Sequence, residues 1–453
     1  MQLLFRFSDD VDDVSRNNNA ITLDIKNWKP LIFRVKTPKI ADAIQALKGD
    51  GVAIADLINL IQFPNDKHEA HEIINYYIER FSRGRLLSWR IVDGEIELAK
   101  IYSLSKDYKP RCDEPPKKKL ALSRFSYMRR MDNLIILESS LTRARVTFTS
   151  QGMSKFVQVL DSAENNNNNE LSQIFWKLGF FDLESANETE SEKCWGFQDL
   201  MLHEASRKNR DSINIGATYR FEGKFDAPPA IKSPMTGDII RLDLPDANKI
   251  AHSSKTLDQI QESRHSIRSY SETEFPINLL GEFLWRVCRT KATIPSKKQE
   301  LMSRPYPAGG SINELEFYIA AERCEGLSPA IYYYNAIMHN LNKIEGSTNI
   351  SRRVIDDSCN AMGLPRDQTR PHSTVIITTR LPRLAWKYEG IPYRLTLLHA
   401  GVAIQMMYLV ATDMGLAPCA NGTGDSRLFQ EATGINPFEE TSIGEFCLGM
   451  PSK

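Results

Sequence analysis

The first hundred residues change their apolar period in a fixed order. Strand-like runs lie near Leu3–Phe7, Ala20–Ile25 and Leu31–Val35. Three helical patterns follow: Ala41–Leu47; then Ile54, Leu57, Ile58 and Ile61; then one stripe of Ala70, Ile73, Ile74, Tyr77, Ile78 and Phe81. Arg85–Val92 and Glu95–Ile101 flank Asp93-Gly94, a strong two-residue hairpin signal. Helices followed by a two-stranded wing predict a winged helix, and three preceding strands point to its peptide-binding variant. Residues 108–207 repeat that order weakly. Leu120–Met131, Leu134–Leu137 and Arg145–Phe148 read as strands, and helices are expected around Met153–Leu160 and Leu171–Leu178. Trp195–Arg207 reads as an amphipathic helix. No sequence repeat is visible, so this second module rests on element order alone.

From about Ala251 the chain mixes helices at Leu279–Val287 and Leu395–Met414 with strands at Leu315–Ala321, Ala330–Tyr334, Thr374–Thr379 and Glu445–Leu448. Leu395–Met414 is apolar nearly all round, but His399, Gln405 and Asp413 interrupt it, so a buried core or interface helix is expected. Lys106–Lys119 and Ala227–Pro234 are proline-rich breaks, and Asn165–Asn169 reads as a solvated loop. The expected architecture is α+β. It divides into winged-helix modules at 1–107 and 108–207, a linker at 208–250, and a C-terminal domain at 251–453.

Composition narrows the function classes. The 453 residues carry 57 Lys+Arg against 57 Asp+Glu, which argues against a nucleic-acid coat or a polybasic membrane binder. Apolar residues at 42% suffice for packed cores. No apolar run approaches the roughly 18 residues of a membrane span, and MQLLFRFSDDVDD has no signal-peptide pattern. Seven cysteines without CxxC spacing fit reduced thiols, so a cytoplasmic protein is expected. HEAH at His68–His71 misses the HExxH zinc spacing by one residue, and no metal site is expected.

Four motifs carry candidate chemistry. In RHSIRSY, Arg264, Ser266 and Arg268 on the first turn of a helix would converge on a phosphate, helped by free backbone N–H groups; a solvated basic helix start is the alternative. PYPAGGSINELEFYIA holds Gly309 and Gly310, which permit close backbone approach to a flat ligand. ANGTGD lacks the spacing of a dinucleotide-binding loop. WKYEGIPYR sets Lys387 beside Tyr388; a desolvated lysine serves as a base and a phenol as a donor, though a snorkelling lysine beside a packed tyrosine is the commoner arrangement. His203 and His399 read as satisfied core histidines.

Taken in order, RHSIRSY, RPYPAGGSINELEFY, WKYEGIPYR with LLHAGVAIQ, GLAPCANGTGD and EFCLG resemble the flavin-dependent nitroreductase fold, in its SagB/ThcOx azoline-oxidase branch. WGFQDLMLHEASR with GATYRFEGKF is similar to the segment that precedes the flavin domain there, and the two expected N-terminal modules are most similar to those of cyanobactin thiazoline oxidases. The resemblance implies FMN held by Arg264, His265, Ser266 and Arg268, with Ala308, Gly309, Gly310 and Ser311 along the flavin and Asn421, Gly422 and Thr423 near its ring. It implies Lys387 and Tyr388 as the catalytic pair. The family often carries serine where Ala308 stands and tyrosine where Asn313 stands, so the loop is expected to hold FMN through its backbone. The implied reaction is dehydrogenation of thiazoline or oxazoline rings in a precursor peptide to thiazole or oxazole. The implied partners are a second copy of the chain and the cyclodehydratase of the same pathway. An NAD(P)H-dependent nitro- or quinone reductase is the alternative on the same fold. A winged-helix regulator with a flavin sensor domain is the alternative of another class.

Overall fold

A seven-stranded antiparallel sheet organises the N-terminal part of the chain, in the order Val52–Ala53, Gln2–Phe7, Leu87–Asp93, Ile96–Ser103, Ala144–Phe148, Leu134–Ser139, Ser126–Met131. The computed structural model describes residues 1–61, 67–111, 113–161, 169–183, 188–208, 214–233 and 235–452. It separates the chain into two compact units, Met1–Asn214 and Ile215–Lys453.

The two modules expected at 1–107 and 108–207 lie in one unit. Ile96–Ser103 pairs with Ala144–Phe148, setting buried Ile101 opposite buried Val146. Trp89, Ile101, Val146, Phe156 and Phe175 share one core. The pairing also satisfies backbone groups that two separate modules would leave on open sheet edges. Helix Lys67–Arg83 buries Ala70, Ile74, Ile78 and Phe81 along one stripe. Pro38–Gln45 starts at Thr37, whose hydroxyl accepts from the Ile40 N–H at 3.4 Å.

A separate three-stranded sheet comprises Val11–Asn17, Ala20–Ile25 and Leu31–Arg34. Its first strand escapes a hydrophobic pattern because only Val14 of VDDVSRN is buried. The hairpin turn lies one residue later than Asp93-Gly94: Asp93 faces Ile96, and Gly94 takes a φ of 60°. Leu120–Met131 is not one strand, because a turn at Ser123 sends Leu120–Leu122 to pair with Phe181–Leu183 and Ser126–Met131 to the large sheet. Asn169 caps helix Glu170–Lys177; the rest of the asparagine run lies outside the described residues.

The C-terminal unit is a seven-stranded antiparallel sheet in the order Ile239–Arg241, Asn340–Ile344, Ala330–Asn335, Leu315–Ala321, Ser373–Thr379, Thr441–Leu448, Cys419–Asn421. Helices Ile277–Cys288 and Pro392–Asp413 cover one face, with Phe283, Phe317, Ile319, Met407 and Phe446 in their core. Thr348–Met362 and Ser426–Thr433 cover the other, with Tyr318, Ala320, Ile355 and Phe429. Alternate residues of Leu315–Ala321 serve opposite faces, so the strand is buried throughout.

Most of the segment expected as a linker at 208–250 belongs to this unit, which begins at Ile215. Ile239–Arg241 forms an edge strand, and the carbonyls of Pro228, Pro229 and Ala230 accept from Arg383 and Arg380. Pro392–Asp413 is long and apolar enough to cross a membrane by length and composition. Here Ala403, Met407, Val410 and Ala411 are buried, and Arg286 holds Asp413 at the helix end. The same helix exposes Tyr393 (43%), Leu397 (41%), Leu398 (54%) and Val402 (38%). The six described cysteines are free.

Candidate active site

The glycine loop takes its shape from left-handed backbone at three of the four positions 310–313. Gly310 has φ 59°, Ser311 57° and Asn313 48°, an arrangement that costs on the order of 1–3 kcal/mol for each non-glycine residue. Buried side chains hold it there. His399 Nε2 accepts from the Gly309 N–H at 2.7 Å, while His399 Nδ1 lies 2.9 Å from the Glu314 carboxylate. These contacts assign the proton of a neutral imidazole to Nδ1. Glu314 is fully buried and also accepts from the Thr396 hydroxyl at 3.3 Å. The buried Arg383 guanidinium donates to the carbonyls of Ile312 at 2.8 Å, Pro228 at 2.8 Å and Glu300 at 3.2 Å. Burial, and next the neighbouring Arg380, draw its pKa down to about 10.

Helix Leu381–Lys387 carries Arg383 and one turn later ends at Lys387, whose Nζ donates to the Gly310 carbonyl at 3.3 Å. A Cβ at Gly310 would lie 2.4 Å from Lys387 Nζ and 2.5 Å from the Tyr388 hydroxyl. The expected catalytic pair and the expected glycine loop are therefore in contact. Burial, with Tyr219 nearby, raises the Tyr388 phenol above its ordinary value, which keeps it a proton donor at neutral pH.

RHSIRSY does not open a helix. Arg264 is the C-cap of Leu257–Ser263, and the chain beyond it is non-helical. Ser266 Oγ lies 2.8 Å from the Tyr408 hydroxyl, and the Arg264 guanidinium stands 5.3 Å from the Tyr408 ring centroid. Arg268 interacts with the Cys419 thiol, whose pKa burial raises. The three expected phosphate ligands thus gather beside Tyr408 and Cys419 without a helix N-terminus. Exposed His265 turns its Nδ1 to the Ser263 carbonyl at 2.8 Å. This donor set suits a phosphate-bearing ligand.

The Tyr408 hydroxyl also accepts from the Ala420 N–H at 2.8 Å, tying this cluster to the start of the second glycine loop. There Asn421 Oδ1 accepts from the Thr423 N–H at 3.0 Å and from its hydroxyl at 2.9 Å. Behind the loop sits Glu445, paired in register with Asn421 and pushed up to about 7 by burial. His399 and Tyr408 lie on one helix, about 13 Å apart at 1.5 Å per residue, so one rigid element joins the two clusters. His399, Glu314, Tyr408 and Arg383 were not readable as site residues. Their only signal is a polar group in an otherwise apolar stretch.

Residues 262–450 match the model of the nitroreductase family, so the C-terminal unit carries a nitroreductase-like domain. Residues 120–212, outside that domain, match the model described as cyanobactin oxidase ThcOx, and the chain is related to both families. The trifolitoxin-processing protein TfxB of Rhizobium leguminosarum bv. trifolii is 25% identical over 152 residues, covering 33% of this chain and 40% of that protein. The match thus spans less than half the length of this curated relative. Among solved structures, a nitroreductase from Ralstonia eutropha JMP134 is 17% identical, with a TM-score of 0.37, over 51% of this chain and 100% of that one. A chain of the E. coli microcin synthetase McbBCD complex with truncated pro-MccB17 bound is also 17% identical, with a TM-score of 0.36, over 52% and 82%.

Proposed function

We propose that this protein is an FMN-dependent oxidase that dehydrogenates thiazoline or oxazoline rings of a ribosomally made peptide to the aromatic azoles. The observation that carries the reading is the contact of Lys387 and Tyr388 with the Gly309–Ser311 loop, inside a nitroreductase-family domain of a chain that also matches the cyanobactin-oxidase model. Arg264, Ser266 and Arg268 would bind the phosphate and ribityl chain; the backbone of Ala308, Gly309, Gly310 and Ser311 would lie along the ring system, and that of Asn421, Gly422 and Thr423 would approach its edge. FMN, when bound, would supply the two-electron acceptor for the hydride leaving the ring carbon next to the one that loses its proton.

The chain's own task is orientation and one proton transfer. An azoline ring carbon bears a hydrogen acidified by the adjacent imine and carbonyl. Lys387 Nζ takes that proton, and the Tyr388 phenol donates a hydrogen bond to the ring as charge develops. His399 and Glu314 hold the loop against which the lysine is placed.

Two further parts of the proposal concern assembly. The exposed apolar stripe of Tyr393, Leu397, Leu398 and Val402 supports a homodimer through helix Pro392–Asp413. In the N-terminal unit a winged-helix module would bind the precursor peptide as an added strand. In support, Leu31–Arg34 is an edge strand with Ile32 exposed, and Trp28 and Tyr76 are exposed nearby in sequence and on helix Lys67–Arg83.

The test is anaerobic bleaching of the bound flavin by an azoline peptide. Lys387→Ala should retain FMN and lose bleaching by about a hundredfold or more, as expected when a general base is removed. Tyr388→Phe should lose less. Wild-type bleaching by Lys387→Ala would place the base elsewhere.

A further inference from the structure

Residues 216–225 lie outside the nitroreductase match, yet they reach the lysine–tyrosine pair. Gly216–Ala217 pairs antiparallel with Tyr388–Glu389, and the Thr218 hydroxyl donates to the Glu389 carboxylate at 3.0 Å. The Tyr219 N–H donates to the Lys387 carbonyl at 3.1 Å. Trp386 closes the clamp: its indole N–H donates to the Phe225 carbonyl at 3.0 Å, and its ring meets Tyr219 edge-on, with centroids 5.8 Å apart.

These contacts hold Tyr219 at φ 53°, a conformation that bulky residues rarely adopt and that persists only where the surroundings over-determine it. The strain is not repaid by core packing, because Tyr219 is only half-buried and belongs to none of the described hydrophobic cores. Its ring instead stands beside two lysine side chains, with Lys298 Nζ 4.3 Å and Lys387 Nζ 6.0 Å from the ring centroid. A partly open aromatic face is thus fixed next to the group that would take the substrate proton.

We infer that Tyr219 is a specificity-determining residue of this site, its ring forming the wall on which the flat five-membered ring of a peptide-borne azoline is seated beside Lys387. The inference rests on the oxidase reading above and adds the residue that recognises the heterocycle, supplied by a segment outside the family match. Seating the ring against Tyr219 brings it beside Lys387 Nζ, which stands 6.0 Å from the Tyr219 ring centroid while the Tyr219 N–H is hydrogen-bonded to the Lys387 carbonyl. Glycine adopts φ 53° freely, so Tyr219→Gly removes the wall without a backbone conflict, whereas Tyr219→Phe keeps it.

The full chain loaded with FMN is assayed for kcat and KM on a synthetic thiazoline-containing peptide, with flavin content measured by absorbance. Tyr219→Gly should raise KM roughly tenfold with flavin per chain unchanged, and Tyr219→Phe should stay within about twofold of wild type. Tyr219→Gly with an unaltered KM, or with a loss matched by lost flavin, overturns the inference and leaves the oxidase reading standing. A flavin-loaded wild type that leaves the peptide unoxidised overturns that reading, and the inference falls with it.

Discussion

Glu445 is 5% exposed, and one carboxyl oxygen has no partner among the described residues. Burial, followed by Asp357 and Asp425, lifts its pKa from 4.5 to about 7, against a Gly424 N–H that lowers it. Between those values the folded chain holds a proton that the unfolded chain has released. Its contribution to stability is therefore complete below about pH 4.5 and is lost as pH rises through about 7, a loss on the order of 3 kcal/mol. Glu445→Gln should flatten that decline and be the more stable protein at pH 8 by urea denaturation. A wild type whose stability is level across this range would contradict the assignment. Lys387, Tyr388 and the glycines at 309 and 310 stand out in the sequence as two separate motifs, and only the fold brings them into contact. Glu314 and His399 do not stand out, because a buried carboxylate and a core histidine acquire a role only when the fold brings a strand and a helix together.

Elements of the C-terminal sheet were legible where both faces are covered. Leu315–Ala321 reads as one apolar run and forms one strand. Asn340–Ile344 and Thr348–Met362 were missed because polar residues break their patterns. The arginine motif was placed on a helix start, whereas it follows a helix end. Close packing between elements is equally invisible in sequence. On helix Ser150–Asp161, a Cβ at Gly152 would lie 1.8 Å from the Leu98 carbonyl oxygen, so the helix sits directly on strand Ile96–Ser103. Backbone cannot yield as a flexible side chain does. Gly152→Ala should destabilise the N-terminal unit by about 2–3 kcal/mol, seen as a lowered denaturation midpoint. An unchanged midpoint would mean that the helix is free to shift.

At the scale of the molecule, the pairing that joins residues 1–107 to 108–207 was illegible, because nothing local in Ile96–Ser103 names Ala144–Phe148 as its partner. The exposed stripe on Pro392–Asp413 bears on assembly: Leu398→Lys with Val402→Asp should convert a dimer to a monomer by sedimentation velocity, and a wild type that sediments as a monomer would refute the proposed association. The proposal that joins these scales is that this chain oxidises azolines. The most direct measurement is mass spectrometry of an azoline-containing peptide after incubation in air with the purified, FMN-loaded protein. Loss of two hydrogens per azoline ring, abolished by Lys387→Ala, is the predicted result; an unchanged peptide mass with fully flavin-loaded wild type would contradict it.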